Sequence, residues 1–129
     1  MPFALSTNSA GIVAYDVETG ETAAILIAQD WTVTTCQVHQ VILKTMVLRH
    51  RWLEEIGTWL FTNSYRLKLY ALVPGDNKMA LKLNAKMGFK ELIRLEDAYD
   101  HGVDFVLMEL RREDCPYWIQ PEMQEAANG

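Results

Sequence analysis

The chain has 129 residues, of which 50% are apolar and 22% are charged, and its formal net charge is −5. This length favours one domain built around a single core. The acidic balance argues against a nucleic-acid partner, because a phosphate-binding surface needs a basic excess. No apolar run approaches the roughly 20 residues that a membrane span requires, so no membrane partner is expected.

Cysteine and histidine usage sets further bounds. The two cysteines, Cys36 and Cys115, match no metal-binding spacing. The three histidines form no spaced ligand set, so no metal site is predicted. The start of the chain, MPFALSTNSAG, lacks the basic stretch and long apolar core of a signal peptide. We therefore expect a cytoplasmic protein with reduced thiols.

The first half of the chain predicts three strands and a helix. GIVAYDV (11–17) and TAAILIAQ (22–29) are β-rich and are joined by a short turn that contains a glycine, which is typical of a hairpin. Apolar and polar residues alternate through 34–44, which predicts a third, antiparallel strand. Apolar residues at helical spacing then predict a helix over about 51–63.

The second half predicts a strand, a short helix and a hairpin. Strands are expected at 66–73, 89–99 and 103–111. Between the first two of these strands, NKMALKLNAKMGF predicts a helix that Asp76 or Asn77 caps at its start. Gly88 ends that helix, because it can take the positive φ of a C-terminal cap.

The resulting order is β-β-β-α-β-α-β-β, and it defines the fold class. The strand–helix–strand unit over 34–73 needs a crossover, so its two strands should be parallel. We predict an α/β (α+β) fold with a mixed, mostly antiparallel sheet, a central parallel strand pair and two packed helices. One domain is expected over 1–112. A C-terminal tail follows over 113–129, and its Tyr117, Trp118, Ile119 and Met123 are typical of a docking segment.

The segment 66–89 resembles the second half of the GNAT superfamily of N-acetyltransferases. In that family a strand ending in Val leads through a turn to a helix of the form N-x-x-A that ends in G-F, and Asn77, Ala80, Gly88 and Phe89 match in register. The element order over 11–111 agrees as well. The resemblance implies a GNAT-like fold and an acetyl-CoA-dependent N-acyltransferase that acts on an unknown amine acceptor.

The resemblance also implies a phosphate site. The family carries an Arg/Gln-x-x-Gly-x-Gly/Ala loop before its first long helix, whereas the matching stretch here, VLRHRWLEE (47–55), has Trp52 and Glu54 in place of the glycines. Its basic side chains can contact phosphate instead, or they are simply a basic helix start. Lys82 lies in a row of three lysines that either assists the phosphates or only faces solvent. The predicted coenzyme-binding residues are Arg49, His50, Arg51, Asn77 and Lys82.

The catalytic groups depart from the family pattern. The family often places a Tyr four residues before the Gly, to protonate the coenzyme thiolate, but Asn84 stands there and an amide cannot supply that proton. Tyr70 and Cys36 are substitutes by position only. His39 is the predicted catalytic base, because a pKa of about 6.5 suits proton abstraction at neutral pH. The alternative is a surface or interface histidine.

Family members usually begin with a strand and two helices that cover the acceptor side. Only about ten residues precede the first predicted strand, so the N-terminal helices are expected to be missing. Uncovered sheet edges then favour a homodimer or a protein complex, with four candidate exposed aromatic residues: Trp31, Phe61, Tyr117 and Trp118. The competing hypothesis is a non-catalytic GNAT-fold binding or assembly protein. It rests partly on a weaker resemblance to small GNAT-like phage proteins, some of them linked to head assembly.

Overall fold

A computed structural model of the chain describes residues 9–63 and 65–117. Within these residues the regular elements are β1 (Ala10–Tyr15), β2 (Thr22–Gln29), β3 (Thr35–Ile42), α1 (Trp52–Gly57), β4 (Lys68–Pro74), α2 (Lys78–Met87), β5 (Lys90–Asp100) and β6 (Val103–Arg111). Short helical turns flank them at Thr45–His50, Thr58–Asn63 and Arg112–Asp114. The middle turn has π-helical geometry and prolongs α1 to the end of the predicted helix.

The third strand ends at Ile42, two residues before its predicted end, for a local reason. The backbone N–H groups of Leu43 and Lys44 both donate to the Ala23 carbonyl, at 2.8 and 2.9 Å. Sharing one acceptor bends the chain away from the ladder and into the turn at Thr45–His50. The turn and the residue after it contain Arg49, His50 and Arg51, which we call the basic stretch. The positions of these side chains therefore depend on where β3 ends.

The six strands form one sheet in the order β1-β2-β3-β4-β6-β5. Only β3 and β4 run parallel, and every other neighbouring pair is antiparallel. The crossover through α1 explains the parallel pair, because a tight hairpin can join only antiparallel strands. The predicted mixed, mostly antiparallel sheet with a central parallel pair is therefore confirmed.

Both helices cover the same face of the sheet. The core lies between them and inward-facing strand residues such as Leu26, Leu69 and Val106. Alternation along each strand sends the other residues to the opposite face. There Val13, Val41, Ile93 and Leu95 are each at least 40% exposed. We call this the open face. Among the described residues no helix precedes β1, so none covers it from that side.

The cap residues of α2 follow the sequence prediction. The Asn77 side-chain oxygen accepts a hydrogen bond from the Ala80 N–H at 3.1 Å, as an N-cap should. Gly88 ends the helix with a φ of 104°, which L-residues rarely adopt. The Gly88 and Phe89 N–H groups bond back to the last turn of the helix, and the chain then turns directly into β5.

The aromatic residues expected at the surface behave differently from one another. Phe61 was predicted to be exposed, and that is wrong: it is 1% exposed, because it lies on the inward side of the helical segment that follows α1. Trp31 is half-buried, edge-to-face against Trp59 at 6.2 Å, and Arg66 lies 4.6 Å above its ring. Tyr117 packs against the core.

The described start of the predicted tail lies on the domain. Cys115 is buried in the core, and Tyr117 approaches Gly57 of α1 through its carbonyl group. The remaining docking candidates of the tail, Trp118, Ile119 and Met123, lie outside the described residues. The division of the chain at residue 112 stays a prediction.

Candidate active site

The parallel strands β3 and β4 separate part-way along their length. Their ladder has three pairs, which end at Gln37 opposite Tyr70, whereas β4 and β6 stay paired over seven. Beyond the third pair the strands diverge, and a cleft of about 460 Å³ opens between them. Because β3 and β4 run parallel, the cleft widens towards the carboxyl ends of both strands.

The cleft is narrow and largely apolar. Its three walls are formed by β3 with its neighbour β2, by β4, and by α2 with its cap residue. Its lining residues are Ile25, Ile27, Gln29, Val38, His39, Gln40, Val41, Ala71, Leu72, Val73, Pro74, Asn77, Ala80 and Asn84. Along 38–41 and 71–74 no cross-strand pair joins β3 to β4, so the backbone groups that face the cleft lack the ladder partners they would otherwise have. Such strand edges suit an extended ligand that carries its own amide groups.

One face of α2 closes the cleft on the helix side. Asn77, Ala80 and Asn84 follow each other at helical spacing and all line the cleft. Asn77 lies beside Pro74, at the wide outer end. With a helical rise of 1.5 Å per residue, Asn84 lies about 10 Å deeper in the cleft than Asn77. It contacts Met108, which pairs with Ala71 just past the last β3–β4 pair.

His39 stands on the β3 wall, on the open face. An amide nitrogen, Nε2 of Gln29, lies 3.1 Å from His39 Nε2. An amide nitrogen can only donate, so this arrangement makes His39 Nε2 the acceptor of a neutral ring. Desolvation against the cleft lowers the pKa of His39 below its ordinary value, and Asp30 opposes the shift only in part. His39 is therefore neutral at physiological pH, although its side chain reaches solvent.

A chain of partly buried hydrogen bonds runs along the helix side of the cleft. The Trp52 indole N–H donates to Gln40 Oε1 at 3.2 Å. Gln40 Nε2 in turn donates to Asn84 Oδ1 at 3.3 Å. The three residues come from α1, β3 and α2, so the network ties both helices to the central strand.

The two positional substitutes for the acid lie outside the cleft lining. The Tyr70 hydroxyl donates to Glu109 Oε2 at 2.9 Å, and this bond raises the pKa of Tyr70. Cys36 is buried on the helix side, and desolvation raises the pKa of its thiol to about 11. Both groups hold their protons firmly at neutral pH.

The structure divides the sequence-predicted site residues into two groups. His39 and Asn77 line the cleft. Arg49, His50, Arg51 and Lys82 are exposed and lie outside its lining. The basic stretch follows the carboxyl end of β3, beyond the outer end of the cleft, and Arg51 joins it to α1 in a left-handed conformation. Its guanidinium pairs with Glu54 at 2.6 Å.

Sequence reasoning missed Gln29 and Gln40. Both are ordinary strand glutamines in the sequence, and only the strand register places one against His39 and the other between Trp52 and Asn84.

In the part of the chain that the structure describes, no three His, Cys, Asp or Glu side chains gather as a metal site requires. The same residues include no helix long and apolar enough to cross a bilayer.

Solved structures share this architecture. No family model and no curated protein matches the chain. A point mutant of spermidine N-acetyltransferase SpeG from Vibrio cholerae is 19% identical, with a TM-score of 0.68 over 83% of this chain and 68% of that one. A further structure of that enzyme gives 0.70 at 15% identity, over 83% and 67%. The ribosomal-protein-S5-alanine acetyltransferase of Vibrio fischeri gives 0.70 at 14%, over 83% and 63%.

These similarities show a GNAT-like fold. The chain spans about two thirds of the length of each of these acetyltransferases. At identities of 14–19% the similarity shows the fold alone.

Proposed function

We propose that this chain is an acetyl-CoA-dependent N-acyltransferase that acts on an amine acceptor. The observation that carries the proposal is the cleft between β3 and β4. It is narrow, apolar and bordered by unpaired strand edges, which suits the slender, amide-containing arm of coenzyme A. The acetyltransferases with this fold support the same reading at low identity.

The residues present fit acetyl-CoA in a defined orientation. The phosphate end belongs at the wide outer end of the cleft, where Arg49, His50 and Arg51 follow β3. Asn77 caps the start of α2 at that end, and Lys82 occupies an exposed position farther along the helix; both complete the proposed contacts. The thioester then lies at the narrow inner end, where β3 and β4 meet. When bound, the coenzyme supplies an activated acyl group.

His39 is the proposed base for the acceptor amine. It faces the cleft from the open face, which leaves room for an acceptor to approach. Its Nε2 lone pair is held by the Gln29 amide, and an incoming ammonium or amine N–H would replace that donor. The acceptor is a primary or secondary amine in this proposal, and no finer class is assigned.

Thermal unfolding with and without acetyl-CoA tests the proposal. A ligand that binds only the folded state stabilises it by about 2.7 kcal/mol at 100 times its Kd. For a domain of this size such a gain raises the melting temperature by several degrees. Unchanged melting with millimolar acetyl-CoA, and no release of free thiol with any of a panel of amines, would contradict it.

Removing the basic side chains should weaken coenzyme binding. We expect Arg49→Ala and Arg51→Ala each to cost about 1–3 kcal/mol, as for charge-assisted hydrogen bonds. The Arg51 effect should be the smaller, because its guanidinium is already paired with Glu54. Isothermal titration with coenzyme A measures both.

Arg111→Ala is the matched control. Arg111 pairs with Glu109 at 3.2 Å, just as Arg51 pairs with Glu54, but it lies opposite Lys68 at the start of β4, at the other end of the sheet from the basic stretch. Equal losses in the Arg111 and Arg49 variants would mean that only net charge matters, and that the basic stretch makes no specific contact.

The pH profile should reveal His39. Because its pKa lies below the ordinary value of about 6.5, kcat/KM should rise with pH and level off near neutrality. His39→Gln should remove this limb and lower the rate by about 10²–10⁴-fold. His101→Gln, at the exposed β5–β6 turn, should leave the profile intact. A mutant profile identical to that of the wild type would exclude His39 as the base.

The open face favours a second candidate, a non-catalytic binding or assembly protein. Val13, Val41, Ile93 and Leu95 expose apolar surface that a second copy or another protein could cover. A homodimer or protein complex is thus proposed under either function. The similarities found are to acetyltransferases and lend no support to a phage head-assembly role. Sedimentation as a stable dimer, combined with no response to acetyl-CoA, would favour this candidate over the first.

A further inference from the structure

The lining of the cleft comes from both faces of the sheet. Side chains alternate between the two faces along a strand, and the buried core residues Leu26, Val38 and Leu69 mark the helix side. Cleft residues an odd number of positions from these on the same strand therefore lie on the open face. They are His39 and Gln29, together with five apolar residues: Ile25, Ile27, Val41, Leu72 and Pro74. We call this set the open-face lining. The remaining cleft residues lie on the helix side, with α2 and its cap.

The open-face lining carries no charged side chain. Among the described residues that line the cleft, none is Asp, Glu, Lys or Arg. His39 pairs with Ile27 on β2, and Val41, two residues farther along β3, pairs with Ile25. On the other wall, β4 contributes only apolar residues to the open-face lining. A molecule that extends from His39 towards Val41 therefore meets apolar surface on both walls.

Two carboxylates lie in the opposite direction, at the inner end of the cleft. Asp30 follows β2 there, and its charge acts on the pKa of His39. Glu109 pairs with Tyr70, level with the last β3–β4 pair. Both of its oxygens are occupied, one by the Tyr70 hydroxyl at 2.9 Å and the other by the Arg111 guanidinium at 3.2 Å. Neither carboxylate lies in the direction in which the cleft opens.

We infer that the acceptor is a monoamine with an uncharged, apolar body, which places its nitrogen at His39 and extends over Ile27, Ile25 and Val41. This inference rests on the proposed function and names the class of acceptor for it. Two residues along a strand span about 6.6 Å, which a chain of about six carbon atoms covers. Burial of the chain against this lining is favourable. An ammonium group at the same place would lose its hydration without gaining a partner.

The acyl transfer balances with the groups that are present. The amine nitrogen forms a bond to the acyl carbon, the carbon–sulfur bond breaks, and its electron pair stays on the sulfur. His39 takes the proton that the nitrogen loses, and solvent returns a proton to the thiolate. Gln29 is engaged with His39, so the body of the acceptor is recognised by apolar contact.

Hexylamine and 1,5-diaminopentane are the deciding pair of acceptors. They have the same length and differ only in a terminal methyl or ammonium group. Release of free thiol from acetyl-CoA measures kcat/KM for each. For the wild type we expect hexylamine to be favoured by about 100-fold, which is the discrimination of an apolar site against a polar isostere.

Val41→Asp should reverse this preference. It places a carboxylate at the level that the far end of the acceptor reaches, and Val41 is 52% exposed, so the fold should tolerate the change. We expect kcat/KM to fall for hexylamine and to rise for the diamine, each by about 10-fold or more, as for a contact with a charged group.

Leu95→Asp is the matched control. Leu95 is 40% exposed on the same face, and its variant has the same net charge, but it lies on the edge strand β5. Its ratio of the two kcat/KM values should equal that of the wild type. Both variants should bind coenzyme A like the wild type, because the changes lie on the open face and the coenzyme arm is proposed to lie against α2.

Three results would overturn the inference and leave coenzyme binding intact. They are equal or better use of the diamine by the wild type, no transfer to hexylamine by a protein that binds coenzyme A, and the same change of ratio in the Val41 and Leu95 variants. If the wild type does not bind coenzyme A at millimolar concentration, the proposed function fails and this inference fails with it.

Discussion

Replacing Gly88 with alanine is expected to destabilise the fold by about 2–6 kcal/mol. Two costs add. An L-residue at a φ of 104° is strained by about 1–3 kcal/mol. A Cβ there would also collide with the Asp114 carbonyl oxygen and approach Leu110 Cδ1 to 3.0 Å, and overpacking typically costs about 1–3 kcal/mol. Urea unfolding measures the loss as a fall in midpoint at constant slope.

Gly102→Ala separates the two costs. Gly102 also has a positive φ, 74°, but nothing lies within 4 Å of the position its Cβ would take. Its variant should lose only the strain, so the difference between the two reports the collision with Asp114. Equal losses would show that 112–114 does not press against the end of α2.

Ala80→Trp is expected to abolish coenzyme binding, with a loss of at least about 100-fold, or 2.7 kcal/mol. Ala80 lies between Asn77 and Asn84 on the face of α2 that lines the cleft. An indole there would fill space that the coenzyme arm needs. The helix itself should tolerate the change, because tryptophan costs less than about 0.7 kcal/mol relative to alanine in a helix.

Ala85→Trp is the control for this substitution. Ala85 is exposed on the same helix and lies outside the cleft lining, so its variant should bind coenzyme A like the wild type. Both variants should unfold near the wild-type midpoint. Normal binding by a folded Ala80→Trp protein would place the coenzyme elsewhere.

Much of the fold could be predicted because local chemistry determines it. Strand alternation, the Asn77 cap and the Gly88 stop are local signals, and the crossover rule made β3 and β4 parallel without any contact information. The predictions that depended on exposure were less secure. Phe61 is buried because the face of a helix that meets the core is set by packing and is not visible in a single residue.

The candidate site could be predicted only in part, for a related reason. His39 and Asn77 were found because one titrates and the other matches a motif, and both line the cleft. The sequence does not show where β3 and β4 diverge, because their pairing stops at Gln37 and Tyr70, inside both strands, and no residue pattern signals that point. Gln40 illustrates the consequence, because its link between Trp52 and Asn84 joins three elements that are distant in the chain.

The central claim is that the cleft between β3 and β4 binds coenzyme A. Backbone amide NMR spectra recorded during titration with coenzyme A test it most directly. The account predicts saturable shifts at 38–41, 71–73 and the cleft-facing positions of α2, with weaker ones at 49–51 and none on the distant strand β5. Shifts confined to the edge strands β1 and β5, or no shifts at millimolar coenzyme A, would contradict it.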